Sequence, residues 1–302
     1  MKAAMVGLGN LGGRMAVRLR EVGHDVTGFD VREDRAGELG LPAAASLAAA
    51  CEAGVVLLSL PSDAAIADVV LGAEGIRAQA QEGTIVVDLS TASPTGSRER
   101  HATLAERGIP FLDAGVSGGP AAAEAGTLTL MIGGDPAVLD RVRPVLDGIG
   151  RRIFHLGEPG AGHAAKVVNN YLNGVNLAAS AEAMVVGVRA GLDPRALLEV
   201  INASSGANWA TENRFPSIVE GDYLEGGLSN ELMAKDLALY LDLARDRRAP
   251  ALMGATCLSL FDMAIACGYS GRVSNTVVDA LGDLAGGVRI QSPPAGEEGR
   301  EC

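Results

Sequence analysis

Lys166, Asn170 and Asn173 recur at the spacing of one face of an α-helix within the stretch GEPGAGHAAKVVNNYLNG, residues 157–174. Their neighbours Ala164, Ala165, Val167, Val168, Leu172, Val175 and Leu177 are small or apolar, so the polar stripe is expected to look into a buried cleft. A helical lysine commonly snorkels from a surface, its stem on apolar groups and its charge in water. A lysine that donates from a mostly apolar cleft can instead have its pKa lowered by desolvation from about 10.4, which suits proton transfer near neutral pH. Asn170, one turn on, would then orient the same oxygen. Which role Lys166 takes depends on the elements that surround it.

The composition excludes several classes of partner. A net charge of −12 over 302 residues argues against nucleic acid and anionic membrane surfaces, because phosphate binding draws on clustered positive charge. The four cysteines, Cys51, Cys257, Cys267 and Cys302, are scattered and form no CxxC pair, which suggests neither a disulfide framework nor a zinc site and fits a reducing compartment. His24, His101, His155 and His163 show no metal-ligand spacing, so no metal is expected. The amino terminus runs straight into a strand, and no apolar run approaches the length of a membrane span. A cytoplasmic enzyme with a small-molecule substrate is the expectation.

A cofactor site is legible upstream of the lysine. The apolar run 2–6 meets Gly7-Leu8-Gly9-Asn10-Leu11-Gly12, after which Met15, Leu19 and Val22 recur at helical spacing. In strand, turn and helix, GxGxxG has a mechanism. Gly7 permits the tight turn, Gly9 lets main chain approach a pyrophosphate, and Gly12 allows close helix packing, with the helix N-terminus facing the phosphates. The second strand, 25–29, ends in Asp30, whose carboxylate would accept hydrogen bonds from ribose hydroxyls and repel a 2′-phosphate. NAD is therefore expected, with NADP possible because Arg32 could accommodate the phosphate.

Strands at 54–59, 84–89, 109–113 and within 126–134, alternating with helices, predict a parallel, doubly wound sheet with ligands at the carboxyl ends of its strands. Pro61 and Thr91 sit at such ends. Ser117-Gly118-Gly119 offers a hydroxyl and unhindered N–H groups, which make either a small carboxylate site or an ordinary tight turn. Beyond Phe154 strand signals largely stop, and helical patterns fill 161–190, 194–202, 229–248, 250–267 and 274–284. The fold class is thus α/β, an N-terminal Rossmann-type sheet followed by an all-α domain. The expected boundaries are 1–160 for the cofactor domain, 161–288 for the helical domain and 289–302 for a disordered tail. A helical domain so rich in alanine and leucine is expected to leave apolar faces for a homo-oligomer, a dimer or tetramer.

Four blocks carry a resemblance: GLGNLGGRMAVRL, then DLSTASPTGSRERHATLAERGIPFLDAGVSGGPAAAEAGTLTLMIGG, then GEPGAGHAAKVVNNYLNG, then MAKDLAL at 233–239. In this order they span nearly the whole chain, and the sequence resembles the β-hydroxyacid dehydrogenases, the group containing 3-hydroxyisobutyrate dehydrogenase and tartronate semialdehyde reductase. The resemblance implies hydride transfer between NAD(P) and a small 3-hydroxy acid or its semialdehyde. It makes Lys166 the catalytic lysine and Asn170 its substrate-binding partner. It matches Ser117, Gly118 and Gly119 to the carboxylate-binding segment and Lys235 to a lysine beside nicotinamide and substrate. Leu60, Pro61 and Thr91 match cofactor contacts. Gly115 departs from the family's usual DAPVSGG, where proline is common. The segment 204–209 is similar to one that shapes the substrate pocket, although Trp209 could equally anchor the core. Two rivals remain: imine reduction, whose relatives usually lack this lysine, and a nucleotide-binding interaction module that has lost catalysis.

Overall fold

The computed structural model describes residues 1–224 and 227–291. The chain divides into two compact units, Met1–Val168 and Asn169–Cys302, a division that falls inside a helix, eight residues later than the expected boundary. In the first unit β1 (Lys2–Val6), α1 (Asn10–Glu21) and β2 (Asp25–Phe29) are followed by α2 (Arg35–Glu38), α3 (Leu47–Cys51), β3 (Val55–Leu58), α4 (Asp63–Leu71) and α5 (Ile76–Gln79). Then come β4 (Ile85–Asp88), α6 (Pro94–Ala105), β5 (Phe111–Ser117), α7 (Gly119–Ala125), β6 (Leu128–Gly133), α8 (Pro136–Leu146) and β7 (Gly150–His155).

The sheet runs β2-β1-β3-β4-β5-β6-β7. It is a Rossmann sheet covered on both faces: Ala3, Met5 and Leu57 point into one core, Ala4, Val56 and Leu58 into the other. Strands buried on both sides read as continuous apolar runs, which is why they were visible in the sequence. One pair departs from the expected parallel pattern. β6 runs antiparallel to β5, with Asp113 opposite Gly133 and Ser117 opposite Thr129. The connection, 118–127, is shorter than the dozen or more residues a parallel crossover needs. β5 also extends through Ser117, beyond the expected end at Asp113, and the strand β7 was not foreseen. Arg151, Arg152, Phe154 and His155 are exposed or partly so there, and an edge strand of that composition lacks the apolar run of the others.

The helix α9 (Ala161–Arg189) crosses the division between the units. In the second unit follow α10 (Pro194–Asn202), α11 (Trp209–Asn213), α12 (Phe215–Glu220), α13 (Asn230–Asp246), α14 (Leu252–Ala264) and α15 (Val277–Leu284). Its core holds Leu177, Met184, Phe215, Met233, Leu237, Phe261 and Val277. Gly254, Cys257, Phe261 and Ala264 bury one stripe of α14. The segment Leu252–Tyr269 is 18 residues long and apolar enough in composition to cross a membrane, contrary to the reading that no run approaches that length; 22% of it is buried within the chain. Arg289–Gln291, expected to begin a disordered tail, are docked: Ile290 is buried and Gln291 Nε2 donates to the Tyr223 hydroxyl at 2.6 Å. The rest of the expected tail, 292–302, lies outside the described residues.

Candidate active site

The cofactor cradle is built at the point where strand order reverses. Gly7 ends β1 with φ +90°, a conformation that side chains rarely adopt. A Cβ on Gly12 would overlap the Gly7 carbonyl oxygen, so this glycine sets how closely α1 follows the turn. Gly9 differs, because a Cβ there would meet nothing within 4 Å. The first turn of α1 carries no acidic residue and no side-chain cap, which leaves the N–H groups of Asn10, Leu11 and Gly12 for an anion. The open space over Gly9 and the uncapped helix start fit a dinucleotide pyrophosphate. At the end of β2, Asp30 accepts from the Leu8 N–H at 2.7 Å and from the Arg32 N–H at 3.0 Å, so its carboxylate is fixed against the glycine turn. Arg32 and Arg35 both pair with Glu38, at 3.1 and 2.8 Å, which holds the Glu38 carboxyl below its usual range. At the end of β3, Leu60 N–H donates to Ser90 Oγ at 2.9 Å, tying the loop with Leu60 and Pro61 to the one that carries Thr91.

Lys166 stands on the first turns of α9, 9% exposed, in the same unit as this cradle. Two features of β5 place it. Asp113, fully buried, accepts from the Gly160 N–H and the His163 N–H, both at 2.7 Å, so a carboxylate anchors the positive start of α9. Two residues on, a Cβ at Gly115 would overlap Lys166 Cβ. The glycine in place of the family's usual proline therefore lets the helix pass directly over the strand. β5 then delivers Ser117 and the turn Gly118 (φ +133°) and Gly119 (φ +70°), where a Cβ on Gly119 would meet nothing within 4 Å. Lysine and hydroxyl-glycine turn are thus carried by directly packed elements.

In the helical unit the stripe continues as side-chain pairs. Asn170 Nδ2 donates to Asp236 Oδ2, and Asp236 Oδ1 lies 3.1 Å from Lys235 Nζ. One amide hydrogen of Asn170 is therefore committed to Asp236, leaving its second amide hydrogen and its carbonyl oxygen as the other polar groups. Asn173 Oδ1 accepts from Arg214 Nη2 at 3.2 Å. Trp209 is 55% exposed with its ring against Arg214, which removes the core-anchor alternative. Asp113, Asp236 and Arg214 were not singled out from the sequence. The first could have been found as an acid within an apolar strand, and the second as the neighbour of Lys235. Arg214 sits between two short helices and has no periodic signal.

Comparison with known proteins gives this geometry a lineage. A family model described as the NAD binding domain of 6-phosphogluconate dehydrogenase matches residues 2–157, and one described as the NAD-binding of NADP-dependent 3-hydroxyisobutyrate dehydrogenase matches 160–281. The NAD-dependent L-serine dehydrogenase of Pseudomonas aeruginosa is 41% identical over 280 residues, 89% of this chain and 94% of that one. The chain belongs to the β-hydroxyacid dehydrogenase family. Among other β-hydroxyacid dehydrogenases, the 2-(hydroxymethyl)glutarate dehydrogenase of Eubacterium barkeri is 35% identical, covering 95% of this chain and 96% of its own. The solved 3-hydroxyisobutyrate dehydrogenase of Mycobacterium tuberculosis, with L-serine, superposes with a TM-score of 0.84 at 35% identity, over 93% of this chain and 99% of that one. As a β-hydroxyacid dehydrogenase the chain is an NAD(P)-dependent oxidoreductase of 3-hydroxy acids.

Proposed function

We propose that Lys166 is the acid/base of this enzyme and that its substrate is a small acid bearing a hydroxymethyl group next to the carboxylate-bearing carbon, or the matching semialdehyde. The observation that carries the reading is Lys166 held on α9 against Gly115, two residues before Ser117-Gly118-Gly119 on the same strand. L-serine and 2-(hydroxymethyl)glutarate, named for two relatives, share that hydroxymethyl acid unit. NAD(P)⁺, when bound over Gly7 to Gly12, supplies the hydride acceptor. Ser117, Gly118 and Gly119 bind the carboxylate, neutral Lys166 takes the hydroxyl proton in oxidation, and charged Lys166 returns it to the alkoxide in reduction. Asn170 and Lys235 contribute substrate contacts, Lys235 also facing the nicotinamide, while Asp236 fixes both side chains.

Lys166→Ala tests this. It should lower kcat by roughly 10² to 10⁴ with NADH affinity nearly unchanged, and oxidation should lose the rise with pH seen in the wild type. Arginine should not rescue, since its guanidinium stays charged. A kcat within a few-fold of wild type would return Lys166 to the role of a snorkelling side chain.

Assembly belongs to the same proposal. Leu252 is 83% exposed and Met253 57% at the start of α14, an apolar surface suited to a second copy of the chain. Light scattering should give a multiple of 30.8 kDa at micromolar concentration, and the monomer mass would defeat the idea. A cytoplasmic location fits the buried thiols of Cys51 and Cys257, both pushed above the usual thiol range by burial.

A further inference from the structure

Two acids and two arginines meet at the end of β2, all within the unit Met1–Val168. Arg32 Nη2 and Arg35 Nη1 donate to the same oxygen, Glu38 Oε2, at 3.1 and 2.8 Å. Both arginines are also tied to the cofactor cradle. Arg35 Nε donates to the Leu8 carbonyl at 2.8 Å, while Asp30 accepts from the Leu8 N–H at 2.7 Å and from the Arg32 N–H at 3.0 Å. The acid suited to the ribose and the two cations are therefore fastened to the same glycine turn, and Glu38 joins the cations from the last position of α2.

Two guanidinium groups on one carboxylate oxygen repel each other unless the acid between them is charged. The hydrogen bond from Arg35, reinforced by the charges of both arginines, holds the Glu38 carboxyl below its usual range, so it is ionised near neutral pH. The side chains of Arg32 and Glu38 are 62% and 50% exposed, and exposed pairs of this kind add little to stability. Their consequence lies instead in which donors they occupy. An arginine near the ribose is what accommodates a 2′-phosphate, and phosphate engages a guanidinium by the same charge-assisted bonds as a carboxylate. Glu38 already holds the place of that anion.

We propose that Glu38 is a specificity-determining residue, an internal anion that occupies Arg32 and Arg35 and so withholds them from the 2′-phosphate of NADP. Cofactor choice then rests on two acids: Asp30 acts on the ribose by its own charge, and Glu38 acts through the arginines. The proposal does not involve Lys166, and binding alone can decide it.

The test is calorimetric titration of the full chain with ADP-ribose and with 2′-phospho-ADP-ribose, which lack the nicotinamide and so report no catalysis. Wild type should bind ADP-ribose more tightly. Glu38→Ala should move the ratio of dissociation constants toward the phosphorylated ligand roughly 10-fold, the lower range for gaining a hydrogen bond to a charged group. Glu38→Gln, whose amide oxygen still accepts but carries no charge, should move it less. Added salt should shrink the shift, since the groups are exposed. In an Arg32→Met background Glu38→Ala should have a smaller effect, and with Arg35→Met added it should have none. A wild type that prefers the phosphorylated ligand, or a ratio that Glu38→Ala leaves unmoved, overturns the proposal. So does a shift of full size without the arginines, which would mean that Glu38 repels the phosphate on its own account. Should the doubly substituted background bind neither ligand, Arg32→Met alone decides, and an undiminished shift there counts against the idea. If the wild type binds neither fragment, NADH and NADPH take their place under the same criteria. Circular dichroism of each variant without ligand confirms that it is folded.

Discussion

The sheet-bearing unit offers its proposed ligand sites mainly as main-chain atoms, whereas the helical unit offers side-chain ends held by other side chains. In the first, Gly7, Gly9 and Gly12 clear space and expose N–H groups, and even Asp30 spends its carboxylate on two main-chain donors. In the second, Asn170, Lys235 and Asp236 fix one another, and Asn173, Ser274 and Asn275 fix Arg214. Main-chain recognition depends on what is missing from a residue; side-chain recognition depends on what is present and on its neighbours. The first should therefore be sensitive to added atoms and the second to removed ones.

The sharpest way to break this contrast is a pair of one-carbon additions. Gly9→Ala should leave the stability of the free protein within about 0.5 kcal/mol, since the added carbon meets nothing, yet weaken NADH binding severely. Gly12→Ala should do both kinds of damage, costing about 1–3 kcal/mol as the added carbon meets the Gly7 carbonyl. Denaturant melts and NADH titrations distinguish them. If Gly9→Ala bound NADH normally, the main-chain account of the cradle would be wrong.

Gly115→Ala crosses the two regimes, because here a missing side chain serves the position of another one. Displacing Lys166 should lower kcat roughly 10- to 100-fold while the NADH dissociation constant stays within a few-fold. An unchanged kcat would mean that helix and strand have slack.

The smallest effect is expected at Asp30. NAD should be preferred over NADP in the wild type, and Asp30→Ala should shift the ratio of kcat/KM toward NADP by about tenfold, as the charge that repels a 2′-phosphate is removed while Arg32 and Arg35 stay paired with Glu38. NADP matching NAD in the unaltered enzyme would show that those arginines already dominate.

The same contrast explains what could be read from the sequence. β1 and its glycine turn were legible because glycine spacing and an apolar run are local patterns, and β2 with Asp30 follows at a fixed interval. α9 and α10 were legible from their helical patterns over 161–190 and 194–202. β6 reversed direction for a reason of loop length, which the apolar pattern does not encode. The partners of the stripe were hidden because Asp236 and Arg214 lie 66 and 41 residues from the asparagines they meet. No local period marks such pairs; they exist only once the helices have packed.

The continuity of α9 also bears on how such a chain can change over generations. Most loops here could gain or lose a residue and leave the elements they join intact. A single residue inserted between Lys166 and Asn173 would instead rotate everything after it by about 100° around the helix and take the asparagines off the lysine's face. Because the division between the units falls within that helix, between Val168 and Asn169, neither half can be exchanged by cutting at a loop. The side chains of α9 can then change only by substitution along a fixed ruler, while the connections on either side of it are free to change in length.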